Sequence, residues 1–323
     1  MIINSLKISK PAGITGLFIA TLLLSFHGSS IYVAIKSNKQ LQKNRFSVLS
    51  LFLSLSDFAI GIEIIYGSIL LLLNSHDNAY LYQCMAIIHI VAVTVLASQF
   101  HTLIICLERL SSTFINNPRI LHNVTSNISV VLCFVMINGF ALLRFGLETL
   151  NGIFPCDQRY TAAPSFSFSH DIPAVIILIF VILCYGVIIY RNKKQRTIIG
   201  VKTVPNVEVA VDNRSKNNIR MYKNVITLGA IIVLTLIATL PRSIAVFYSY
   251  SVGGSESALN FVWIANYVFV LLNPLFDPLI YAFTVRQYRE HLISFSKCFK
   301  KNNRPLIEVN LDTSLNNGVL CKN

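Results

Sequence analysis

Inside an apolar run near the end of the chain, Asn273-Pro274-Leu275-Phe276-Asp277-Pro278-Leu279-Ile280-Tyr281 places an acid and two prolines where hydrocarbon tolerates neither freely. A charged side chain at mid-bilayer costs at least about 2.5–3.5 kcal/mol on insertion scales, so such a residue is expected to face a protein interior and to have a task there. Asp277 is not alone. Asp57 and Glu63 sit in a second apolar run, Arg109 ends a third, and Arg242 follows Pro241 in a sixth. Two carboxylates brought within a few Å in low dielectric do not both stay charged without a cation or a shared proton. Pro241 removes a backbone donor, which lets its helix kink and the inner half pivot.

The elements that must position these residues follow from composition. A chain of 323 residues that is 54% hydrophobic and 13% charged has more apolar surface than one water-soluble core can hide, which points to a membrane. Against the ~20 residues needed to cross ~30 Å of hydrocarbon, seven runs qualify: 13–35, 46–73, 84–107, 128–150, 172–190, 225–250 and 259–283. The expected fold is therefore an all-α membrane protein, a seven-helix bundle with no separate soluble domain. Residues 1–12 form a short outer N-terminus and 13–283 the bundle. In 284–301, Tyr288, Leu292, Phe295 and Phe299 share one face of an amphipathic surface helix, with Cys298 open to palmitoylation. The remainder, 302–323, reads as a disordered tail, and the basic, Asn-rich stretch 191–224 as a mobile loop.

Segments after spans one, three, five and seven hold 4, 2, 9 and 7 Lys or Arg, which is 22 of the 27 in the chain. That bias puts the C-terminus in the cytosol and the N-terminus outside; the expected location is the plasma membrane. The net charge of +13 thus reads as topology and attraction to anionic lipid, not as nucleic-acid binding. No cleaved leader is evident before span one. Of seven cysteines, Cys106, Cys133 and Cys184 lie inside spans, and Cys298 and Cys321 lie in the cytosolic tail. Cys84 and Cys156 remain outside, and a bridge between them would pin the longest outer loop over the bundle. The sequence has no phosphate-cradling Gly-rich loop and no Cys/His cluster at metal spacing, and its seven histidines, His89 and His101 among them, read as ordinary helix residues.

Taken together, these motifs resemble the class A (rhodopsin-like) G-protein-coupled receptors over about residues 13–300. Leu55-Ser56-Asp57 looks like the Leu-x-x-x-Asp element of span two, and Glu108-Arg109-Leu110 like the Asp/Glu-Arg-Tyr of span three. Asp277-Pro278-Leu279-Ile280-Tyr281 looks like the Asn/Asp-Pro-x-x-Tyr of span seven. Cys84 precedes Arg109 by 25 residues, the family's usual interval. The wording Asp-Pro-Leu-Ile-Tyr-Ala-Phe is most similar to the melanocortin and adenosine receptor branch. Departures exist: the span-one Asn falls on Ser29, the span-four Trp near Met136, the span-five Pro near Ile177, and the span-six Trp on Thr239.

The resemblance implies roles. Asp57, Ser98, Asn273 and Asp277 match a sodium pocket, whose oxygen ligands suit a hard cation; the competing reading is a water-bridged network with one acid protonated. No other cofactor is implied. Arg109, held locally by Glu108, would be released to a heterotrimeric G protein when span six swings out. Pro241, Pro278, Tyr185 and Tyr281 would belong to that switch. The span-six stretch Arg220-Met221-Tyr222-Lys223 lacks the expected acidic partner, which implies basal signalling. An outer pocket of Glu63, Val91, Thr94, Val95, Arg242, Ser243, Val246, Trp263, Asn266 and Tyr267 would receive an extracellular small-molecule, lipid or short-peptide ligand. Val91 stands where amine receptors carry Asp, and span seven has no Lys for retinal. Arg242 either meets an anionic group on a ligand or is neutralised by Glu63, while Arg144 and Glu148, one turn apart, pair with each other. The chain would catalyse no covalent chemistry. A small transporter or channel using the Asp57 and Asp277 pair is the alternative from another class.

Overall fold

The computed structural model describes residues 2–36, 45–73, 77–114, 118–150, 161, 163–201, 208–253, 259, 261–262, 265 and 271–284. Backbone groups in hydrocarbon must bond internally, so apolar runs of this length become helices. Nine are described: α1 (Ile2–Lys36), α2 (Arg45–Leu73), α3 (Asn78–Ser111), α4 (Arg119–Val124), α5 (Asn127–Leu150), α6 (Pro164–Ser169), α7 (Asp171–Val201), α8 (Glu208–Ser251) and α9 (Leu272–Thr284). Six of the described stretches are long and apolar enough to cross a membrane: Pro11–Ile35, Arg45–Leu73, Asn78–Ser111, Asn127–Leu150, Pro164–Lys194 and Val225–Ser251. α9 is the inner half of the seventh span. Of that span's outer half, Leu259, Val262 and Ala265 are described and pack with Ala245 and Val246 of α8. The end of the bundle that carries the Lys- and Arg-rich segments is called inner below.

Local chemistry sets the breaks. Asp77 caps α3, its Oδ1 accepting from the Tyr80 amide at 2.7 Å. Pro164 opens α6 at its first turn. α7 restarts at Asp171, two residues before Pro173, because a proline is accommodated in a first turn but not further in.

α3 is the central post, touching α2, α4, α5 and α7, while α9 touches α8, α1 and α2 and so closes the ring. Burial separates core from rim: 61% of the most apolar window of α3 is buried but only 11% of that of α5, which turns Leu132, Val135, Met136, Leu142 and Leu143 outward as a lipid face would. An inner core joins Leu49 and Leu53 to Ile104, Ile105, Val181, Ile188, Leu228 and Ile231. A second core places Ala20 and Leu23 of α1 against Ile60 and Ile64 of α2, with Val95 and Leu271. α1 and α2 approach through glycines: a Cβ on Gly16 would meet Ser68, one on Gly13 would meet Leu72, and one on Gly61 would meet Leu24.

The structure corrects the reading of 191–224 as a mobile loop. α7 continues to Val201 and α8 starts at Glu208, leaving only 202–207 outside the described residues within that stretch. Lys, Arg and Gln are good helix formers, and a helix already nucleated in the bundle extends at little cost. The first helix likewise starts at Ile2, inside the expected N-terminal segment 1–12. Residues 285–323, with Cys298, the surface helix and the tail, lie outside the described residues.

Candidate functional site

Four helices bring one polar cluster together in the middle of the bundle. Ser98 of α3 donates to Asp57 Oδ1 of α2 at 2.7 Å. Asn273 of α9 donates through Nδ2 to Asp277 Oδ2 at 3.5 Å and accepts at Oδ1 from Thr235 of α8 at 2.9 Å. Asp57 and Asp277 are both fully buried and lie within electrostatic reach of each other. Asp57 Oδ2 and Asp277 Oδ1 have no hydrogen-bond partner among the described residues.

A fifth helix, α1, contributes His27, passed over in the sequence as an ordinary helix residue. It is fully buried on α1, with Nε2 3.8 Å from Asp57 Oδ2 and 2.6 Å from the carbonyl oxygen of Pro274. That carbonyl has a specific need. Its helical donor would be the amide of residue 278, four residues on, and Pro278 has none. His27 supplies the donor from the neighbouring helix, which puts the proton on Nε2 and leaves Nδ1 buried without a partner. Ser29, where the family's Asn was expected, only turns its hydroxyl back to Phe26 O at 2.8 Å.

A narrow cavity leads from this cluster toward the outer end. Ile60, Val95, Ser98, Gln99, His170, Asp171, Ala174, Ala238, Thr239, Arg242, Asn273 and Pro274 line it. Gln99 bridges α3 to α8 by donating through Nε2 to Thr239 Oγ1 at 2.9 Å, so the residue standing in the family's Trp position is a hydrogen-bond acceptor.

At the outer end of the cavity the structure overturns the pairing of Arg242 with Glu63. Arg242 donates through Nε to Asp171 Oδ1 at 2.7 Å and through Nη2 to Oδ2 at 3.4 Å, with the two residues 6% and 1% exposed. Glu63 instead shares the hydroxyl proton of Thr94, at 2.8 Å, with the Ile90 carbonyl oxygen at 2.9 Å. Arg242 therefore already has an internal counter-ion. Asp171 escaped the sequence reading because span five was begun at residue 172, whereas the apolar stretch starts at Pro164 and carries Asp171 into the membrane. The signal was present: an acid on the first turn of an apolar run, level with an arginine that needed one.

A second polar group lies beside it. Arg144 donates to Glu148 Oε1 through Nη2 at 2.6 Å and Nε at 2.8 Å, and His89 Nε2 lies 3.0 Å from Glu148 Oε2. Phe166 of α6, 3% exposed, joins the two groups: its ring lies 5.4 Å from the Arg144 guanidinium, 5.7 Å from that of Arg242, and within 6 Å of the His89 and His170 rings. Of the other expected pocket residues, Val95 lines the cavity and Val91 packs against the α1–α2 core. Ser243 donates back to Thr239 O at 3.3 Å, and Val246 is buried against span seven. Trp263, Asn266 and Tyr267 lie outside the described residues.

At the inner mouth, Arg109 closes α3 with Nε 3.6 Å from Glu108 Oε2 and its guanidinium 3.8 Å from the centre of the Phe46 ring. Tyr185 of α7 donates to the Val225 carbonyl of α8 at 3.2 Å, in a space kept open by Gly229. Pro241 leaves the Ile237 carbonyl without its helical donor, and Pro278 is buried in α9. Tyr281 falls on α9, its side chain outside the described ones, as is that of every residue in 208–224. Cys84 is buried at the outer start of α3, and its expected partner Cys156 lies outside the described residues.

The oxygen-rich lining of the central cluster fits a hard cation. Two buried carboxylate oxygens lack hydrogen-bond partners, and the neighbouring hydroxyl and amide donors are oxygen-bearing. Among the described residues no three His, Cys, Asp or Glu side chains converge as a site for another metal.

No family model and no curated protein matches the chain. In three dimensions it is similar to squid rhodopsin, with a TM-score of 0.69 and 11% sequence identity over 93% of this chain and 88% of that one. The likeness favours neither the melanocortin nor the adenosine branch. At that identity it establishes architecture: the chain has a rhodopsin-like multi-pass membrane fold.

Proposed function

We propose that this protein is a G-protein-coupled receptor of the plasma membrane, with its N-terminus outside, which transmits occupancy of an outer cavity to a heterotrimeric G protein. The observation that carries the reading is the succession of buried polar pairs along one cavity, from Arg242–Asp171 past Gln99–Thr239 to the Asp57, Asn273 and Asp277 cluster. The Arg242–Asp171, Gln99–Thr239, Ser98–Asp57 and Thr235–Asn273 bonds each join two helices, so repacking one helix must break or remake bonds on another, as a two-state transmission element requires. Pro241 divides α8 between its outer half, held by Arg242, and its inner half, held by Tyr185. Swinging that inner half outward would open the mouth beside Arg109, and Tyr281 and Pro278 on α9 would follow.

The ligand on this reading is a small molecule, lipid or short peptide, and Cys84–Cys156 would tether the outer loop. Asp57, Ser98, Asn273 and Asp277 would hold Na⁺, which when bound offsets the repulsion between the two acids and favours the closed bundle. The experiment is G-protein activation in cells expressing the chain, with basal output, a ligand screen and Na⁺ titration read together. Basal output above mock-transfected cells is expected, with Na⁺ lowering it in the natural chain and not in Asp57→Asn. Output equal to mock at verified surface expression, with no ligand response, would overturn the reading.

A further inference from the structure

Arg242 and Asp171 stand side by side in the cavity wall. A wall with equal and opposite charges restricts what a guest can carry. An anion that took Arg242 would strand Asp171, and a cation that took Asp171 would strand Arg242; breaking a buried pair from one side is strongly unfavourable. A guest bearing both charges replaces both halves at once. Its carboxylate takes the place of Asp171 on the guanidinium, its ammonium takes the place of Arg242 on the carboxylate, and the net charge of the wall stays zero.

Gln99 provides a second footing. Its Nε2 is committed to Thr239 at 2.9 Å, and its Oε1, on a side chain 8% exposed that lines the same cavity, has no partner among the described residues. An amide oxygen only accepts, so the missing partner is an N–H or O–H donor, which an ammonium supplies. His170 is already engaged, with Nε2 2.9 Å from Ala92 O and Nδ1 3.5 Å from Asp171 Oδ1. Nearby, Ile60, Val95, Ala174 and Ala238 are aliphatic, matching a short carbon spacer between the two charges.

We infer that this cavity, which has room for only about one or two water-sized guests until the Arg242–Asp171 pair parts and widens it, binds a small zwitterion of the amino-acid type, its carboxylate on Arg242 and its ammonium toward Asp171 and Gln99. The inference deepens the receptor reading and rests on it for any signalling consequence, but the binding itself does not need a G protein. The probes are glycine, β-alanine and 4-aminobutyrate, with propionate and propylamine as singly charged controls. Thermal unfolding of the full chain in lipid nanodiscs is measured beside G-protein activation in cells. At least one zwitterion is expected to raise the unfolding temperature saturably while neither control does, and Gln99→Met should weaken that response about tenfold.

Single substitutions at the pair leave a buried charge and risk misfolding. The double variant Asp171→Leu with Arg242→Met removes both charges together, and it is expected to reach the surface and lose the zwitterion shift. No shift with any zwitterion, an equal shift with propionate or propylamine, or a shift retained by the double variant each overturns the inference. A zwitterion shift without any G-protein response supports the binding inference and counts against signalling. G-protein output without a shift overturns the binding inference alone.

Discussion

Replacing His27 by Ala removes a donor that α9 cannot provide for itself. The bond runs 2.6 Å from Nε2 to the Pro274 carbonyl, on a side chain with no exposure, and the residue four further on is Pro278. A buried carbonyl stripped of its partner costs about 1–3 kcal/mol, whereas side-chain hydrogen bonds between membrane helices average about 0.6 and reach about 1.7 kcal/mol. The two ranges overlap near 1–1.7 kcal/mol, and the space vacated by the ring adds a packing loss of its own. Pro278→Ala separates the two contributions. An alanine amide at 278 donates to the Pro274 carbonyl within the helix, so the hydrogen-bond part of the His27→Ala loss disappears and the packing part remains. Unfolding of the natural chain, both single variants and the double variant in mixed micelles should yield a coupling of about 1–1.7 kcal/mol. Coupling within about 0.3–0.5 kcal/mol of zero, the scatter of independent sites, would refute the donor argument.

Phe166→Ala should lower stability by about 3–5 kcal/mol, because the ring is buried beside two guanidiniums and two imidazoles; a loss below about 1 kcal/mol in thermal unfolding would show that the ring does not join those groups. Gly229→Ala would place a Cβ against the Tyr185 hydroxyl and push it off the Val225 carbonyl, so basal G-protein output at matched surface expression should rise, and unchanged output would disconnect Tyr185 from the switch. Asp171→Leu and Arg242→Met should each cost about 3–5 kcal/mol alone and the double variant less than either; a double loss equal to the sum of those two singles would mean that the two charges act independently.

How much was legible follows from what lipid enforces. The spans could be drawn from apolar length alone, and the six membrane-length stretches start and end within about six residues of those runs, the outer end of span five excepted, while the helices α1, α7 and α8 themselves run further. Asp57, Ser98, Asn273 and Asp277 could be grouped because the receptor resemblance places them in one pocket and an acid in an apolar run must face inward; the structure brings Ser98 onto Asp57 and Asn273 onto Asp277. His27 could not be grouped with them. The need it meets is visible in the Pro274 and Pro278 spacing, but which side chain meets it depends on the rotation of α1 about its axis, which hydropathy does not encode. The Arg242 partner was lost for a different reason: an acid at the margin of a span was assigned to the loop. The inner extensions of α7 and α8 were hidden because a basic, Asn-rich sequence resembles a linker unless it continues a helix already formed.

The glycine-mediated approach of α1 and α2 bears on how such a bundle can move. Gly13, Gly16 and Gly61 let the side chains of Leu72, Ser68 and Leu24 seat directly on the backbone of the neighbouring helix, and His27 then fastens α1 to α9. Little free travel remains on that flank. It behaves as the stationary half of a hinge, and any stroke of the machine falls to the opposite flank, where a proline and single polar bonds hold α8 in place.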